Sequence, residues 1–486
     1  MPVSRRSFVG GLASGVVASP LLGRRILGAN DTLRVACIGI RGQGQTHIAQ
    51  LQQIAGVEVV ALCDADADVL EARAKAFAAK YGREVDTAKD LRTILDRKDV
   101  DAIATATPNH WHSLIGVWAC QAGKDVYVEK PISHNVWEGR QLVNAARKYD
   151  RVVQGGTQSR SMQSIRAAVA FVQEGKLGAL QRVNAYCYKP RTAIGNVGKG
   201  KVPASVDYDL WCGPAPLAPL ARRDLHYDWH WQWATGNGDL GNQGIHQMDV
   251  ARWILGEKGL PRRVLSIGGR LGYEDDGETP NTQVTWFDYP KAPLVFEVRG
   301  LPRDRDANKE GRWGAKEMDP VTGLGSSGAI GVVAHCAQGY VAIDTGGARA
   351  YDAEGKLLMK FEGGGNPYAN FIDAVRSHDR SQLNAEVEET HLSSALCHYG
   401  LISHLRGHAA SVESIERFVG DDALGQAFGG MRTHLERNGV DLGNTPLTLG
   451  HMLHLDPETE RCVGNYAADA LRTRVYRAPF VVPTIA

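Results

Sequence analysis

Between Leu33 and Gly155 short apolar runs alternate with helical patterns. Leu33–Gly39, Val57–Cys63, Ala102–Thr107, Asp125–Glu129 and Val152–Gly155 read as strands. Thr46–Ile54, Ala67–Tyr81, Leu91–Leu95, His112–Ala122 and Val136–Tyr149 read as helices between them. Parallel neighbours need a long crossover, and a helix is the usual one. A chain patterned this way is confined to an α/β fold with a doubly wound parallel sheet, predicted over residues 31–155.

The pattern then changes. Arg182–Lys189, Arg263–Leu271, Thr282–Phe287, Leu294–Arg299, Ala329–His335 and Tyr340–Asp344 are strand candidates with few helices between them. Many alternate polar and apolar residues, as in an antiparallel sheet with one wet face. Ile165–Glu174, Gln247–Leu255, Phe371–Arg376 and His391–His404 read as helices. This predicts a substrate-binding α+β domain over residues 156–411 with a large, mainly antiparallel open sheet. Residues 412–486 are expected to form an arm packed on that second domain. A length of 486 residues fits two domains.

The net charge of +1 offers no field for nucleic acid or an anionic membrane. The eight cysteines form no CxxC pair, so no zinc or redox motif is visible. Residues 1–30 read as a targeting segment. Ser4-Arg5-Arg6-Ser7-Phe8-Val9 precedes a weakly apolar stretch from Gly10 to Leu22. This looks like a twin-arginine signal, so the export machinery is an expected partner and the periplasm, or another exported location, the expected site. The apolar stretch is too short to span a bilayer, so no membrane span is expected once the signal is removed. Twin-arginine export carries folded proteins, so a dinucleotide can be loaded first and recycled in place.

Gly39-Ile40-Arg41-Gly42-Gln43-Gly44 follows a strand and opens a helix. Glycines there let the backbone approach a pyrophosphate, and the helix N-terminus adds N–H groups. Arg41 occupies the place of the usual middle glycine and can lie over the phosphates. Asp64 ends the second strand, where a carboxylate binds ribose hydroxyls and repels a 2′-phosphate, which favours NAD over NADP. Thr107, Asn109 and His110 end the strand Ala102–Thr107, where they would pack along the nicotinamide ribose or cap the next helix.

Lys130, set between Glu129 and Pro131 at the carboxyl edge of the same sheet, would bind the reacting hydroxyl and favour alkoxide character as hydride leaves. Glu129 is counted with the cofactor site. If residues 242–249 run into the helix Gln247–Leu255, Asn242 and His246 share a face at i, i+4, with Asp249 following at i+3. A histidine near its ordinary pKa of roughly 6.5 suits removal of a hydroxyl proton, and an Asn neighbour would orient its ring. Upstream, His226-Tyr227-Asp228-Trp229-His230-Trp231-Gln232-Trp233 concentrates aromatics and histidines. Trp229, Trp231 and Trp233 are candidates for stacking on sugar rings, with Asp249 as a polar contact. His226, His230 and Asp239 could ligate a metal, but no ligand spacing supports one, and none is predicted.

Gly39–Gly44, Asp64, Thr107-Pro108-Asn109-His110, Glu129-Lys130-Pro131 and Gly244-x-His246-x-x-Asp249 together resemble the Gfo/Idh/MocA oxidoreductases, the relatives of glucose–fructose oxidoreductase and inositol dehydrogenase. The likeness spans about Leu33 to His404. It implies a Rossmann domain, an open sheet that often mediates homo-oligomers, and hydride exchange between a nicotinamide and a sugar or polyol hydroxyl. It also implies that Lys130 touches substrate and cofactor and that His246 is the acid/base. The family's aspartate four residues before that histidine is replaced here by Asn242. Asn242 cannot stabilise an imidazolium by charge, which lowers the pKa expected of His246 or passes proton work to His230 or Asp239. The export signal and the glycine-rich Gly238–Gly244 variant look like an exported branch of the family.

The expected function is NAD-dependent oxidation of a secondary hydroxyl of a sugar, polyol or glycoside. One rival is an NAD-dependent glycosidase working by transient oxidation and elimination. The other is a non-catalytic sugar or nucleotide sensor.

Overall fold

The computed structural model describes residues 32–305, 330–344 and 347–486. The targeting segment predicted over residues 1–30 lies outside the described residues. Among the described residues no helix is long and apolar enough to cross a membrane.

The first domain holds β1 (Leu33–Ile38), β2 (Val57–Cys63), β3 (Asp86–Ala88), β4 (Ala102–Thr105), β5 (Asp125–Val128) and β6 (Val153–Gly155). All pair in parallel, in the order β3-β2-β1-β4-β5-β6. This is the Rossmann order, and its reversal point lies between β1 and β4, where such sheets bind ligands. Helices α1 (Gln43–Leu51), α2 (Ala67–Tyr81), α3 (Leu91–Leu95), α4 (Asn109–Gln121) and α5 (Val136–Lys148) cover its two faces. Their starts are set by side chains: Asp66 accepts from Asp68 N–H, and Asn135 accepts from Glu138 N–H while its amide donates to the Glu138 carboxylate.

The second domain begins with α6 (Gln163–Gln173), β7 (Leu180–Tyr188), α7 (Tyr208–Cys212), α8 (Gly238–Asn242) and α9 (Gly244–Leu255). Strands β8 (Arg263–Gly269), β9 (Thr282–Phe287), β10 (Leu294–Arg299), β11 (Ile330–Cys336), β12 (Gly339–Asp344), β13 (Gly347–Asp352) and β14 (Leu357–Phe361) follow. Then come α10 (Pro367–Ser377), α11 (Val387–Leu405), β15 (His408–Ala410), α12 (Val412–Val419), α13 (Ala423–Arg437), β16 (Leu447–Leu449), β17 (Leu453–Asp456) and β18 (Arg461–Cys462). The main path of the sheet is β14-β13-β12-β11-β7-β10-β9-β8-β16-β15, antiparallel except for the β7–β10 pair. α6, α9 and α11 bury one face of it in the largest core. α12 and α13 cover part of the other face, over Leu265, Val284 and Val295.

The expected arm of residues 412–486 divides. Residues up to β18 extend or cover the second sheet. The chain end instead returns to the first domain, where Phe480, Val482 and Ile485 enter the core between the sheet and helices α4 and α5. These three apolar residues sit beyond a charged stretch, too sparse to show periodicity, so local pattern cannot say which surface they bury against. α10 also crosses over: Tyr368, Phe371 and Ile372 complete the core on the opposite face of the first sheet.

Candidate active site

A cavity of about 400 Å³ opens at the reversal point and runs from the glycine loop to α9. Two of the glycines are demanded by close approach. Gly39 has φ +72°, and a methyl group there would lie 2.7 Å from the Thr107 backbone nitrogen. A methyl group on Gly44 would lie 2.0 Å from the Gly39 carbonyl oxygen. The loop is therefore folded tightly enough to leave a cradle for a pyrophosphate at the start of α1. Asp64 lines the cavity while accepting hydrogen bonds from Ile40 N–H and Asp66 N–H, each 3.0 Å. Burial raises its pKa against those two bonds. Arg41 also lines the cavity and faces Asp224 of the second domain at 3.8 Å.

At the far end, β5 delivers Glu129 and Lys130. The Glu129 carboxylate is buried and is bonded by Gln43 Nε2, His47 Nε2 and Lys130 N–H, each 3.1 Å. Burial alone would raise its pKa, but the His47 bond and the neighbouring charges hold it at about 2. Glu129 thus ties the Lys130 loop to α1, the helix that opens the dinucleotide cradle. Lys130 Nζ donates to the Asn242 carbonyl oxygen at 3.0 Å. Enclosure lowers the Lys130 pKa, opposed by the charge of Glu129.

His246 lines the same cavity from the first turns of α9. Its pKa is pushed down to about 3, by desolvation first and then by the Lys130 ammonium. The lowered value expected from Asn242 is the one found, and the ordinary value is corrected: this imidazole is neutral throughout the neutral range. Asn242 also lines the cavity, but what it gives Lys130 is its main-chain carbonyl oxygen, and the buried His246 Nδ1 has no partner, so the ring-orienting bond expected of the Asn242 side chain is not formed.

His230 sits in a tight turn over Asp228–Trp231. It is buried, lines the cavity, and bonds the Tyr227 carbonyl oxygen through Nδ1 at 2.7 Å. That bond places the proton on Nδ1 and leaves Nε2, which has no partner, as an acceptor. Burial brings its pKa down to about 4, opposed by Asp239. Asp239 is held by Arg191 in a two-point pair, Nε at 2.7 Å and Nη2 at 2.5 Å. Arg191 was not legible beforehand, since it stands alone in a loop after β7. His226 binds Asp66 at 2.8 Å, whereas the acid beside His230, Asp239, is taken up by Arg191.

Thr107 and Asn109 line the cavity, but His110 does not. α4 starts at Asn109, which turns His110 away into the second domain, its Nε2 3.0 Å from the Trp211 carbonyl oxygen. Of the tryptophans, Trp229 lines the cavity with Tyr227. Trp231 is buried under Arg270, 4.7 Å from its ring, and Trp233 packs against the second core near His404. The two are removed from the sugar-stacking set, because a turn sends successive rings in different directions.

Asp249 is also removed from the site. It is fully buried and pairs with Arg160 at 2.8 Å and Ser393 at 2.7 Å. Asp249→Ala takes the nearer carboxylate from the buried Arg160, leaving it only Glu389 at 3.5 Å, and is expected to destabilise the fold by about 3 kcal/mol. Denaturant unfolding of the purified variant checks this, with little change expected in the chemistry of the molecules that remain folded.

Residues 33–157 match an oxidoreductase family's NAD-binding Rossmann fold, and residues 182–268 match that family's C-terminal alpha/beta domain. A glycosyl hydrolase family 109 protein from Shewanella sp. (strain W3-18-1) is 34% identical over 145 residues, 28% of this chain and 31% of that protein. One from Shewanella putrefaciens is 33% identical over the same share. The chain thus spans under a third of the length of these curated relatives. The WlbA dehydrogenase from Bordetella pertussis, solved with NADH and UDP-GlcNAcA, superposes with a TM-score of 0.53 at 17% identity, over 75% of this chain and 94% of that one. The WlbA enzyme from Chromobacterium violaceum, solved with the same two ligands, gives a TM-score of 0.54 at 17% identity, over 77% and 93%. These two likenesses are of fold.

Proposed function

The chain belongs to the Gfo/Idh/MocA oxidoreductase family, and on that premise we propose that it oxidises a secondary hydroxyl of a sugar, polyol or glycoside with NAD. One observation supports this most: Lys130 and His246 line the same cavity as the glycine loop and Asp64. A carboxylate at the ribose end fits NAD better than NADP.

Bound in this cradle, NAD supplies the hydride acceptor. Lys130 binds the hydroxyl oxygen and stabilises the negative charge that grows as the C–H bond breaks. His246, neutral, takes the hydroxyl proton, and the substrate leaves as a carbonyl compound. The imidazolium so formed has an ammonium beside it and an amide at position 242 in place of an acid, so it passes its proton readily to cavity water.

A second reading rests on His230, whose partner-free Nε2 supplies another base in the same cavity. A transient carbonyl acidifies the neighbouring C–H. Removal of that proton by His230 would expel a glycosidic leaving group; water adding across the double bond so formed, and return of the hydride to the carbonyl, would then give the free sugar with no net oxidation, in line with the similarity to proteins named glycosyl hydrolase family 109.

A panel of sugars, polyols and glycosides, followed at once for nicotinamide absorbance and product masses, separates the readings. Oxidation yields NADH and a product short of two hydrogens. Free sugar without net NADH supports the glycosidase. Dinucleotide bound without any turnover leaves the sensor. We also propose export, on the strength of Arg5-Arg6; full-length protein confined to the cytoplasmic fraction overturns it.

A further inference from the structure

The dinucleotide end of the cavity is crossed by a strap, residues 203–231 of the second domain. On one side it is fastened beside β2: Ala67 N–H donates to Ser205 O and Asp207 N–H to Ala65 O, each 2.9 Å, and His226 binds Asp66 at 2.8 Å. On the other it is fastened to α4, where Trp111 Nε1 donates to the Leu210 and Trp211 carbonyl oxygens, each 3.1 Å. Leu210, Trp211, His226, Tyr227 and Trp229 line the cavity from the strap, facing Gly39, Asp64 and Thr107. Val206, Trp211, Cys212, Leu220 and Leu225 form a small core of the strap's own, so it would move as a unit.

The chain end is clamped across this strap. Arg472 O accepts from Trp137 N–H at 2.9 Å, and Ile485 N–H donates to Gln141 Oε1 at 2.7 Å, both on α5. Phe480, 1% exposed, packs edge-on against Trp111 with centroids 5.4 Å apart. Between these anchors Arg477 reaches the strap. Its Nη2 donates to the Asp209 carbonyl oxygen at 2.7 Å, its Nε to the Gly213 carbonyl oxygen at 3.1 Å, and its Nη1 pairs with the Asp209 carboxylate. The tail thus sinks its apolar residues into the first domain and gives its guanidinium to the second.

We propose that residues 471–486 are a latch, and that Arg477 is a positioning residue that holds the strap down over the bound dinucleotide and sets how fast it leaves. A dinucleotide held from Asp64 to Lys130 would be faced by the strap residues that line the same cavity, and parting of the strap from Asp66 or Trp111 would ease its release. The latch rests on the reading of this cavity as an NAD site and adds how the cofactor is retained.

The test is the release of protein-bound NADH, followed by loss of its fluorescence after mixing with excess NAD. Arg477→Ala is expected to speed release roughly tenfold, the equivalent of one lost charge-assisted hydrogen bond. Its melting temperature and the rate of a single turnover from the preloaded complex should stay near those of the parent, as a general loosening of the fold would not allow. If Arg477→Ala folds poorly, Asp209→Ala removes the charge-paired bond of the clasp from the strap side and should also speed release, by less because the two carbonyl bonds remain. Release at the parent rate from a folded variant overturns the latch alone. A parent that binds no NADH overturns the NAD reading itself.

Discussion

Lys130→Ala is expected to lower kcat about a thousandfold, the loss typical of removing a donor that meets developing negative charge. The same variant should still hold its dinucleotide. The link between the Lys130 loop and the cradle runs through the Glu129 carboxylate, bonded by Gln43, His47 and the Lys130 backbone N–H. None of those bonds uses Nζ. The fold should also tolerate the change, because enclosure already lowers the lysine's pKa, so the native state holds this charge against its environment. Lys130→Met, which keeps the stem's packing, should melt no lower than the parent while sharing the kinetic loss. Dinucleotide retained on denaturation and counted by mass, together with steady-state rates on the best substrate of the panel, gives both quantities. A variant with intact cofactor and near-parental kcat would remove the lysine from the chemistry.

How far the site was legible depended on whether its parts obey a local period. The strand–helix alternation marks both the sheet and its reversal point, because each unit is a self-contained βαβ step. The glycine loop and Lys130 were readable because they sit at fixed ends of those strands. His246 and Asn242 were readable as one helical face, although α8 and α9 meet at Gln243 and the His246 Nδ1 receives no hydrogen bond. The errors share a cause. Asp249 lies one helical turn from His246, yet its partner Arg160 stands far away in sequence and draws it into the core. His110 faces away because α4 begins a few residues earlier than its apolar pattern suggests. The strap, Arg191 and the tail have no period at all: their positions are set by contacts such as Arg477 with Asp209 and Arg191 with Asp239, which no window of the sequence contains.

His246 carries the other large effect, and its pH dependence tests the electrostatics directly. His246→Ala is expected to cost kcat a factor of about 10²–10⁴, the usual range for a lost general base. In the parent, a base pushed down to about 3 is already unprotonated at neutral pH. The pH–rate profile should therefore show no acid limb near the ordinary histidine value of roughly 6.5. Activity should fall on the alkaline side as Lys130 loses its proton, at a pH below that of an ordinary lysine. In acid the fold should fail first. His110 and His398, both lowered to about 3 by burial, and His230, lowered to about 4, stay neutral in the native state but bind protons in the unfolded chain. Their contribution is complete above the unfolded value of roughly 6.5 and is lost as pH falls toward the folded values. Initial rates and circular dichroism measured at the same pH should thus decline together, and only well below the ordinary histidine value, where that contribution has been lost. Asn242→Asp discriminates further. A carboxylate one turn before His246 favours the imidazolium and opposes Lys130, so the variant should gain an acid limb at a pH where the fold is still intact. A parent that already shows such a limb, with its dichroism unchanged, would mean that the imidazole is far better solvated in the working enzyme than its place between α9 and the Lys130 ammonium allows.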